Sequence, residues 1–372
     1  MDSSFLQQAL RGPLPLTPNN FTPRARTPWG GTFIAQQLKD AVSPETKGAI
    51  VGESWDFSCE PSFPSRLLGS SLTLHDLFRS YPKETLSATL FKQDPMAACE
   101  ILVKFVDAQE DLSLQVHPSD SDPFLGKEES GKPESWLILH AEPGAGIYLG
   151  FQSQAALSHE GLAQILRSGA DLRRFLQFVP VKAGDYFEIP AGICHAVGKG
   201  ITLLEPQRVL FGKKARTYRM YDWGRRYNAK GEADPEGKGR ELHIEESLHL
   251  VQPTVQCGDK FLAQLRSLPR RQNVGEGIRI DSFGHNPFYR THRVQVPAQQ
   301  TLHWNLEDAY GALLPTEGYF KLRSADGADS YWQKGQPGLL PAACFPLTIQ
   351  ALHDTTFYIV NPLSAKIQWW QN

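Results

Sequence analysis

The sequence has few cysteines, and none occur in the arrangements that build disulfide frameworks or thiolate zinc sites. The five are an odd number, lie far apart and include no C-x-x-C pair, which argues against both kinds of structure. They are Cys59, Cys99, Cys194, Cys257 and Cys344. We therefore expect a reducing compartment and predict a cytoplasmic protein.

Long apolar runs and basic stripes are also missing. The first residues carry an acid at Asp2 and no run long enough for a signal peptide or a membrane span. Lys and Arg are spread evenly and the net charge is -2, so no surface is expected to follow a phosphate backbone. We predict no membrane and no nucleic-acid partner.

The composition is that of an ordinary globular chain, with 372 residues of which 41% are hydrophobic, enough for two domains. Residues 1–20 end in a Pro-rich segment that suggests an extended N-terminal extension. A first domain is predicted over residues 21–253. Beyond Gln252-Pro253, residues 254–372 alternate like short strands, for example at 319–323, 346–352 and 356–360, which favours a second β domain.

Three helical regions are predicted within the first domain, and the last has Ile244, Leu248 and Val251 on one face. Thr73 and Asp76 have the spacing of a capping box and begin a short helix. The segment over about 155–178 has a helical period: Ser158 can cap a first helix and Gly169 can end it. A second helix is predicted to follow around Phe175, so we expect a helical insert between strands.

Residues 112–118 (LSLQVHP) alternate as a strand does. One face is apolar, and the other carries Ser113, Gln115 and His117. Gln115 and His117, two residues apart on one face, could hold a metal ion together. The competing interpretation is an ordinary solvent-exposed face.

Two further polar residues have strand-like surroundings. Glu134 begins a strand and shares a face with Trp136, although a glutamate at a strand start is usually exposed. His195 follows a tight turn at residues 190–192, and alternation sends Cys194 to the opposite face. A satisfied core histidine is the competing interpretation for His195.

Seven motifs occur in order along the chain and together carry a family resemblance. They are residues 29–31 (WGG), 52–55 (GESW), 115–118 (QVHP), 131–134 (GKPE), 190–196 (PAGICHA), 218–223 (YRMYDW) and 240–243 (RELH). Over residues 21–253 the chain resembles the type I mannose-6-phosphate isomerase family of the cupin superfamily. The second β domain fits the family's C-terminal barrel by general character.

The resemblance implies a mainly β protein with two cupin (jelly-roll) barrels and the helical insert in the first. It implies a zinc-dependent isomerase that interconverts mannose 6-phosphate and fructose 6-phosphate through an enediolate. One zinc ion per chain is expected, with a small sugar phosphate as substrate and a monomer or homodimer as the assembly. The expected zinc ligands are Gln115, His117, Glu134 and His195.

The same resemblance suggests roles for other residues. Arg219 matches the arginine over the reacting carbons, and Glu205 is the first candidate for the proton carrier, with Lys132 or a zinc-bound hydroxide as the others. The expected substrate-binding residues are Ser113, Lys132, Trp55 and Glu53. Packing is the usual role of a buried tryptophan such as Trp55.

One segment departs from the family pattern, and two other functions stay open. The link at residues 206–217 is long and basic, and it could bind phosphate or be a solvated loop. Its cations are Arg208, Lys213, Lys214 and Arg216.

A non-catalytic sugar-binding cupin would not need an arginine at position 219. A metal-dependent cupin enzyme acting on another sugar phosphate is the second alternative.

Overall fold

A computed structural model describes residues 9–86, 99–153, 157–363 and 366–371. The protein is mainly β, as predicted. The strands of the first two thirds are β1 (Leu14–Pro15), β2 (Glu53–Phe57), β3 (Ile101–Ala108), β4 (Leu114–Val116), β5 (Glu129–Ser130), β6 (Glu134–Ala141), β7 (Gly146–Phe151), β8 (Leu176–Pro180), β9 (Tyr186–Ile189), β10 (His195–Val197), β11 (Ile201–Arg208), β12 (Lys214–Ala215) and β13 (Tyr218–Tyr221).

Ten of these strands form two five-stranded sheets. One has the order β13-β4-β10-β7-β8 and the other β2-β3-β11-β6-β9, while β5 and β12 form a small parallel pair. The pairings within both large sheets are antiparallel. Strands that carry polar residues on one face therefore stand side by side, and this arrangement positions the site described below.

The last third of the chain is a second β unit. Its strands are β14 (Arg270–Val274), β15 (Ile278–Phe283), β16 (Tyr289–Val296), β17 (Thr301–Glu307), β18 (Gly311–Glu317), β19 (Tyr319–Arg323), β20 (Asp329–Gln333), β21 (Gly338–Leu340), β22 (Leu347–Ala351), β23 (Thr355–Pro362) and β24 (Lys366–Trp370). They form one sheet of order β1-β21-β18-β23-β16-β15-β14 and another of order β20-β19-β22-β17-β24. The three strands predicted at 319–323, 346–352 and 356–360 are confirmed as β19, β22 and β23.

The α-helices of the described residues are α1 (Leu74–Ser80), α2 (Pro82–Thr85), α3 (His159–Ser168), α4 (Ile244–Leu250) and α5 (Gly258–Leu265). Shorter helical turns occur at Ile34–Leu38, Pro44–Thr46, Arg173–Phe175 and Ala342–Cys344. The capping box is confirmed, because Thr73 accepts a hydrogen bond from the Asp76 N–H and the Asp76 side chain accepts one from Thr73.

The predicted helical insert over about 155–178 is correct only in part. Helix α3 begins after the Ser158 cap and ends at Gly169, whose φ of 70° suits glycine. The second helix is wrong: residues 173–175 form one 3₁₀ turn, and Leu176–Pro180 is strand β8, which pairs with β7. Sheet pairing overrides a helical period this short. Residues 155 and 156 lie outside the described part.

The N-terminal segment connects the two β units. Residues 1–8 of the predicted extension lie outside the described residues, while β1 pairs with β21 of the second unit and Leu16 bridges to Leu67 of the first. Helix α5 buries Phe261 in a core cluster of the first unit. The division at residues 20/21 and 253/254 stays a prediction.

A buried ion pair lies at the contact between the two units. Lys39 is fully buried, and its Nζ pairs with the carboxylate of Asp56 and donates to the Gly335 carbonyl at 2.8 Å. Asp56 lies on β2, whereas Gly335 precedes β21. This one side chain therefore ties the first unit to the second.

Two expectations from composition can be compared with the described residues. No helix there has the length and apolar character that crossing a bilayer requires. All five cysteines are free, although the thiols of Cys59 and Cys99 lie 3.2 Å apart. A disulfide framework is therefore absent from this part of the chain, as the cysteine spacing predicted.

Candidate metal centre and active-site pocket

Three strands bring His117, Glu134 and His195 together. His117 directly follows β4, Glu134 begins β6 and His195 begins β10. All three are buried, and their ligand atoms lie within 4.8 Å of one another. His117 Nε2 lies 3.1 Å from His195 Nε2 and 3.2 Å from Glu134 Oε2. Two imidazoles and a carboxylate therefore converge on one point.

Hydrogen bonds orient these side chains. His195 Nδ1 lies 2.8 Å from the Ile193 carbonyl, and since a carbonyl only accepts, Nδ1 carries the proton and Nε2 keeps a lone pair that could bind a metal ion. Trp136 Nε1 donates to Glu134 Oε1 at 2.9 Å. Such outer contacts are typical of metal ligands, whose orientation they fix.

The electrostatics favour the protonation states that a metal requires. Burial, assisted by the charge of Lys132, lowers the pKa of His117 to about 3, and burial lowers the pKa of His195 to about 4. Burial alone would raise the pKa of Glu134, but the charge of Lys132 holds it well below its usual range. At neutral pH the site thus offers two neutral imidazoles and a carboxylate, the forms that bind metal.

The fourth predicted ligand, Gln115, lies next to this group. Strand β10 pairs with β4 so that His195 stands opposite Gln115. An amide oxygen beside two imidazoles and a carboxylate completes an N/O donor set that zinc accepts. Two nitrogens on a tetrahedral zinc lie roughly 3.3 Å apart, close to the 3.1 Å between the two Nε2 atoms. The residues therefore fit the ion.

A cavity of about 250 Å³ lies against this centre. All the residues predicted for substrate binding or catalysis line it, and so does the predicted ligand Gln115. They are Glu53, Trp55, Ser113, Lys132, Glu205 and Arg219. One pocket therefore brings the predicted ligand Gln115 together with all the residues predicted for substrate binding or catalysis.

Alternating carboxylates and lysines run along the pocket wall. Lys132 Nζ lies 2.8 Å from Glu134 Oε2 and 3.5 Å from Glu205 Oε1. Lys104 Nζ lies 3.0 Å from Glu205 Oε1 and 3.2 Å from Glu53 Oε1. Burial, with the nearby charge of Glu134, raises the pKa of Glu205 to about 7. Glu205 can therefore exchange a proton near neutral pH, as a general base must.

Arg219 reaches the pocket from β13, where it stands opposite Gln115. Its Nε donates to Ser113 Oγ at 3.3 Å and its Nη1 donates to the Glu241 carbonyl at 2.9 Å. Burial and the charge of Arg240 lower the pKa of Arg219 to about 10. Arg219 therefore stays charged at neutral pH.

The basic link at residues 206–217 contributes little charge to the pocket. Arg208 pairs with Glu100 at 2.8 Å and with Asp120, and Arg216 pairs with Glu129 at 3.2 Å. The described pocket lining includes Ala215 and Thr217 but none of the four basic residues of this link. The geometry does not favour a phosphate site here, and the link is only partly a surface loop, because Arg208 is buried at the end of β11 and Lys214 begins β12.

Several lining residues were not predicted from the sequence, among them Arg26, Glu60, Lys104 and Arg240. Lys104 had a visible signal, since it is the one charged residue in the apolar run 101–106. Arg26 had none, because it lies on an exposed loop that only folding brings to the pocket.

The chain is similar to mannose-6-phosphate isomerases in sequence and in structure. The enzyme of Streptococcus mutans is 34% identical over 226 residues, which cover 60% of this chain and 64% of the relative, less than two thirds of its length. The probable mannose-6-phosphate isomerase GmuF of Bacillus subtilis is 31% identical over 282 residues, 73% of this chain and 79% of the relative.

The crystal structure of the Bacillus subtilis mannose 6-phosphate isomerase has the same fold. The two structures superimpose with a TM-score of 0.73 at 25% sequence identity, and the match covers 94% of this chain and 99% of the Bacillus subtilis chain. No family model matches the sequence.

Proposed function

Because the chain belongs to the mannose-6-phosphate isomerase family, we propose that it interconverts mannose 6-phosphate and fructose 6-phosphate. The observation that carries this proposal is the convergence of His117, Glu134 and His195 on one point beside a pocket lined by Lys132 and Arg219. A candidate metal centre next to a cavity that holds a charged guanidinium suits a reaction that develops negative charge on two adjacent oxygens.

We propose that Gln115, His117, Glu134 and His195 hold one zinc ion per chain. When bound, zinc supplies a Lewis acid that polarises the carbonyl of the sugar. The two histidines stay neutral because they are buried, and Lys132 keeps Glu134 ionised. The chain's own contribution is therefore a donor set that is already in the correct protonation state.

Glu205 is proposed to move the proton. Its carboxylate takes the proton from C2 of the open-chain aldose while the carbonyl double bond shifts to form the enediolate. The same carboxyl then returns the proton to C1 while the proton of the O2 hydroxyl is transferred to O1, so that the C2–O2 double bond forms and C1 becomes the CH2OH group of the ketose. Lys104 and Lys132 keep a fraction of Glu205 ionised against its burial. Lys132 is the alternative proton carrier.

Arg219 is proposed to stabilise the negative charge of the enediolate. Its contacts with Ser113 and the Glu241 carbonyl fix the guanidinium before substrate arrives, and a preorganised donor gains most from charge that appears in the transition state. Ser113, Lys132, Trp55 and Glu53 are proposed to bind and position the sugar.

The finer features of the fold belong to the same proposal. The two pairs of sheets are proposed to be two cupin barrels, divided at residues 253/254 and preceded by the extension 1–20. A cytoplasmic location and a monomer or homodimer, both expected from the sequence, complete it.

A coupled assay tests the function. The purified, zinc-loaded protein should convert mannose 6-phosphate to fructose 6-phosphate and back, and it should turn over unphosphorylated mannose poorly, because binding of the remote phosphate orients the reacting end. No turnover of either sugar would favour a sugar-binding cupin. Faster turnover of another sugar phosphate in the same assay would favour the other enzyme class.

A further inference from the structure

Arg26 lies at the rim of the pocket with its charged group held in place by an aromatic face. The Arg26 Cζ lies 4.6 Å from the centroid of the Trp55 ring. Arg26 is exposed, whereas Trp55 is buried. Trp55 is fixed in turn, because its Nε1 donates to Glu53 Oε2 at 2.7 Å. Stacking positions a guanidinium while leaving its in-plane N–H groups free to donate.

The other cations of the pocket already have partners. Lys104 and Lys132 pair with carboxylates of the wall, and Arg240 donates to Asp222 Oδ2 at 2.8 Å. Arg219 is held at the reacting end by its contacts with Ser113 and the Glu241 carbonyl. Within residues 9–86, 99–153, 157–363 and 366–371, Arg26 forms no salt bridge, although its charge helps to lower the pKa of the nearby Glu53 carboxyl.

We propose that Arg26 is the residue that binds the phosphate group of the substrate, an inference that rests on the proposed function in that the substrate is a sugar phosphate. The carboxylates of Glu53 and Glu60 line the same pocket and would repel a phosphate dianion. A phosphate therefore needs a cation that no carboxylate already pairs with. Arginine also offers two parallel donors that match phosphate oxygens.

The geometry of the sugar fits this assignment. The C1 and C2 oxygens react at the buried metal centre, while the phosphate is carried on C6 at the other end of the chain of carbons. A ligand with its reacting end on the pocket floor therefore presents its phosphate towards the rim. Arg26 is exposed at that rim, and the metal-centre residues are fully buried.

Binding of a ligand that cannot react tests the assignment separately from turnover. Mannitol 6-phosphate lacks the carbonyl, and mannitol is its matched partner without phosphate. Calorimetric titration of the zinc-loaded protein should show that Arg26→Met weakens mannitol 6-phosphate binding by roughly 10-fold or more, the loss expected for one hydrogen bond to a charged group. The methionine keeps an apolar side chain over Trp55.

Two further variants make the test specific. Arg26→Lys should lose an intermediate amount, because an ammonium lacks the planar pair of donors. Arg24→Ala is the matched control: Arg24 lies two residues away on the same exposed loop, with Glu232 at 3.8 Å, and its loss should leave the affinity unchanged. In kinetics, Arg26→Met should raise KM for mannose 6-phosphate with little change in kcat or zinc content.

Unchanged affinity for mannitol 6-phosphate in a folded Arg26→Met protein would overturn the proposal, and so would an equal loss in Arg24→Ala. A wild-type protein that binds mannitol 6-phosphate through Arg26 but turns over no sugar phosphate would refute the proposed function alone. The two failures therefore give different results.

Discussion

Lys104 on β3 stands directly opposite Glu205 on β11, and its Nζ lies 3.0 Å from Glu205 Oε1. Both side chains are buried in the pocket wall. The sequence indicated a charge in an apolar strand, but only the antiparallel register pairs it with the proposed base. The lysine opposes the effect of burial, which raises the pKa of Glu205 to about 7.

Removing that lysine should move the pH dependence of the reaction. In Lys104→Met the carboxylate loses a neighbouring cation, so the pKa of Glu205 should rise, by roughly 1–3 units for a partner this close. Because the base acts when ionised, the acidic limb of the kcat/KM profile should shift to higher pH. Lys104→Arg keeps the charge and should shift the limb far less. An unmoved limb in Lys104→Met with normal zinc content would exclude Glu205 as the base.

Zinc content should depend on the buried histidines and not on their neighbour. His117→Ala or His195→Ala removes a ligand and should weaken zinc binding by at least the roughly 10–100-fold that loss of an outer contact produces. Cys194→Ala is the control, since Cys194, directly before β10, packs in an apolar cluster. Elemental analysis of the purified variants measures the effect, and equal zinc in all three would contradict the site.

The sequence predicted those features of the site that depend on neighbouring residues of one strand, and not those that depend on how the strands pair. Alternation along one strand placed Ser113, Gln115 and His117 together, because a strand's faces follow from its residues alone. Sheet order and register decide which strands are neighbours, so the ion pairs of Lys104 and the stacking of Arg26 on Trp55 were not predictable. The failed second helix near Phe175 has the same cause: pairing of β8 with β7 decided the conformation.

The ion pair of Lys39 and Asp56, which lies at the contact between the two β units, should contribute strongly to stability. Lys39→Met leaves Asp56 buried without its cation, and losing one partner of a buried pair costs about 3–5 kcal/mol. Lys39→Met/Asp56→Leu removes both charges and should recover much of the free energy of unfolding. Urea denaturation of the single and double variants measures both values, and a double variant no more stable than the single would contradict the explanation.

Asp281 should control acid stability in the second unit. It is fully buried, with Arg271 Nε at 2.7 Å, Arg279 Nη2 at 3.0 Å and Arg293 also paired to it. Burial alone would raise the pKa of Asp281, but the three arginines hold it far below its usual range. This stabilisation is present above the unfolded pKa of about 3.9 and is lost as pH falls towards the folded value.

Asp281→Asn should therefore lower the free energy of unfolding at pH 7 by roughly 3 kcal/mol. Below pH ~4 the difference between variant and wild type should become progressively smaller, because the wild-type protein then loses the stabilisation from the ionised Asp281. Urea titrations at a series of pH values test this. The exposed pair of Arg323 and Asp329 is the control, because Asp329→Asn should change little at any pH. A constant difference between Asp281→Asn and wild type across the range would contradict the linkage.

Arg219 distinguishes the proposed isomerase from a protein that only binds a metal ion. If it stabilises the enediolate, Arg219→Ala should keep zinc and fold but lose roughly 10²–10³ in kcat, the loss typical of one preorganised donor. Arg219→Lys should recover only part, because a compact ammonium cannot span two oxygens as a planar guanidinium can.

The competing interpretation is structural, since Arg219 also ties β13 to the Glu241 carbonyl. In that case Arg219→Ala should lower Tm while the folded fraction keeps near-normal kcat. Tm, zinc content and kcat measured on one preparation of each variant distinguish the two. Because the contact with Ser113 holds Nε at 3.3 Å, Ser113→Ala should reproduce a small part of the kcat loss without any change in zinc content. Full activity in a folded Arg219→Ala protein would remove this residue from the mechanism.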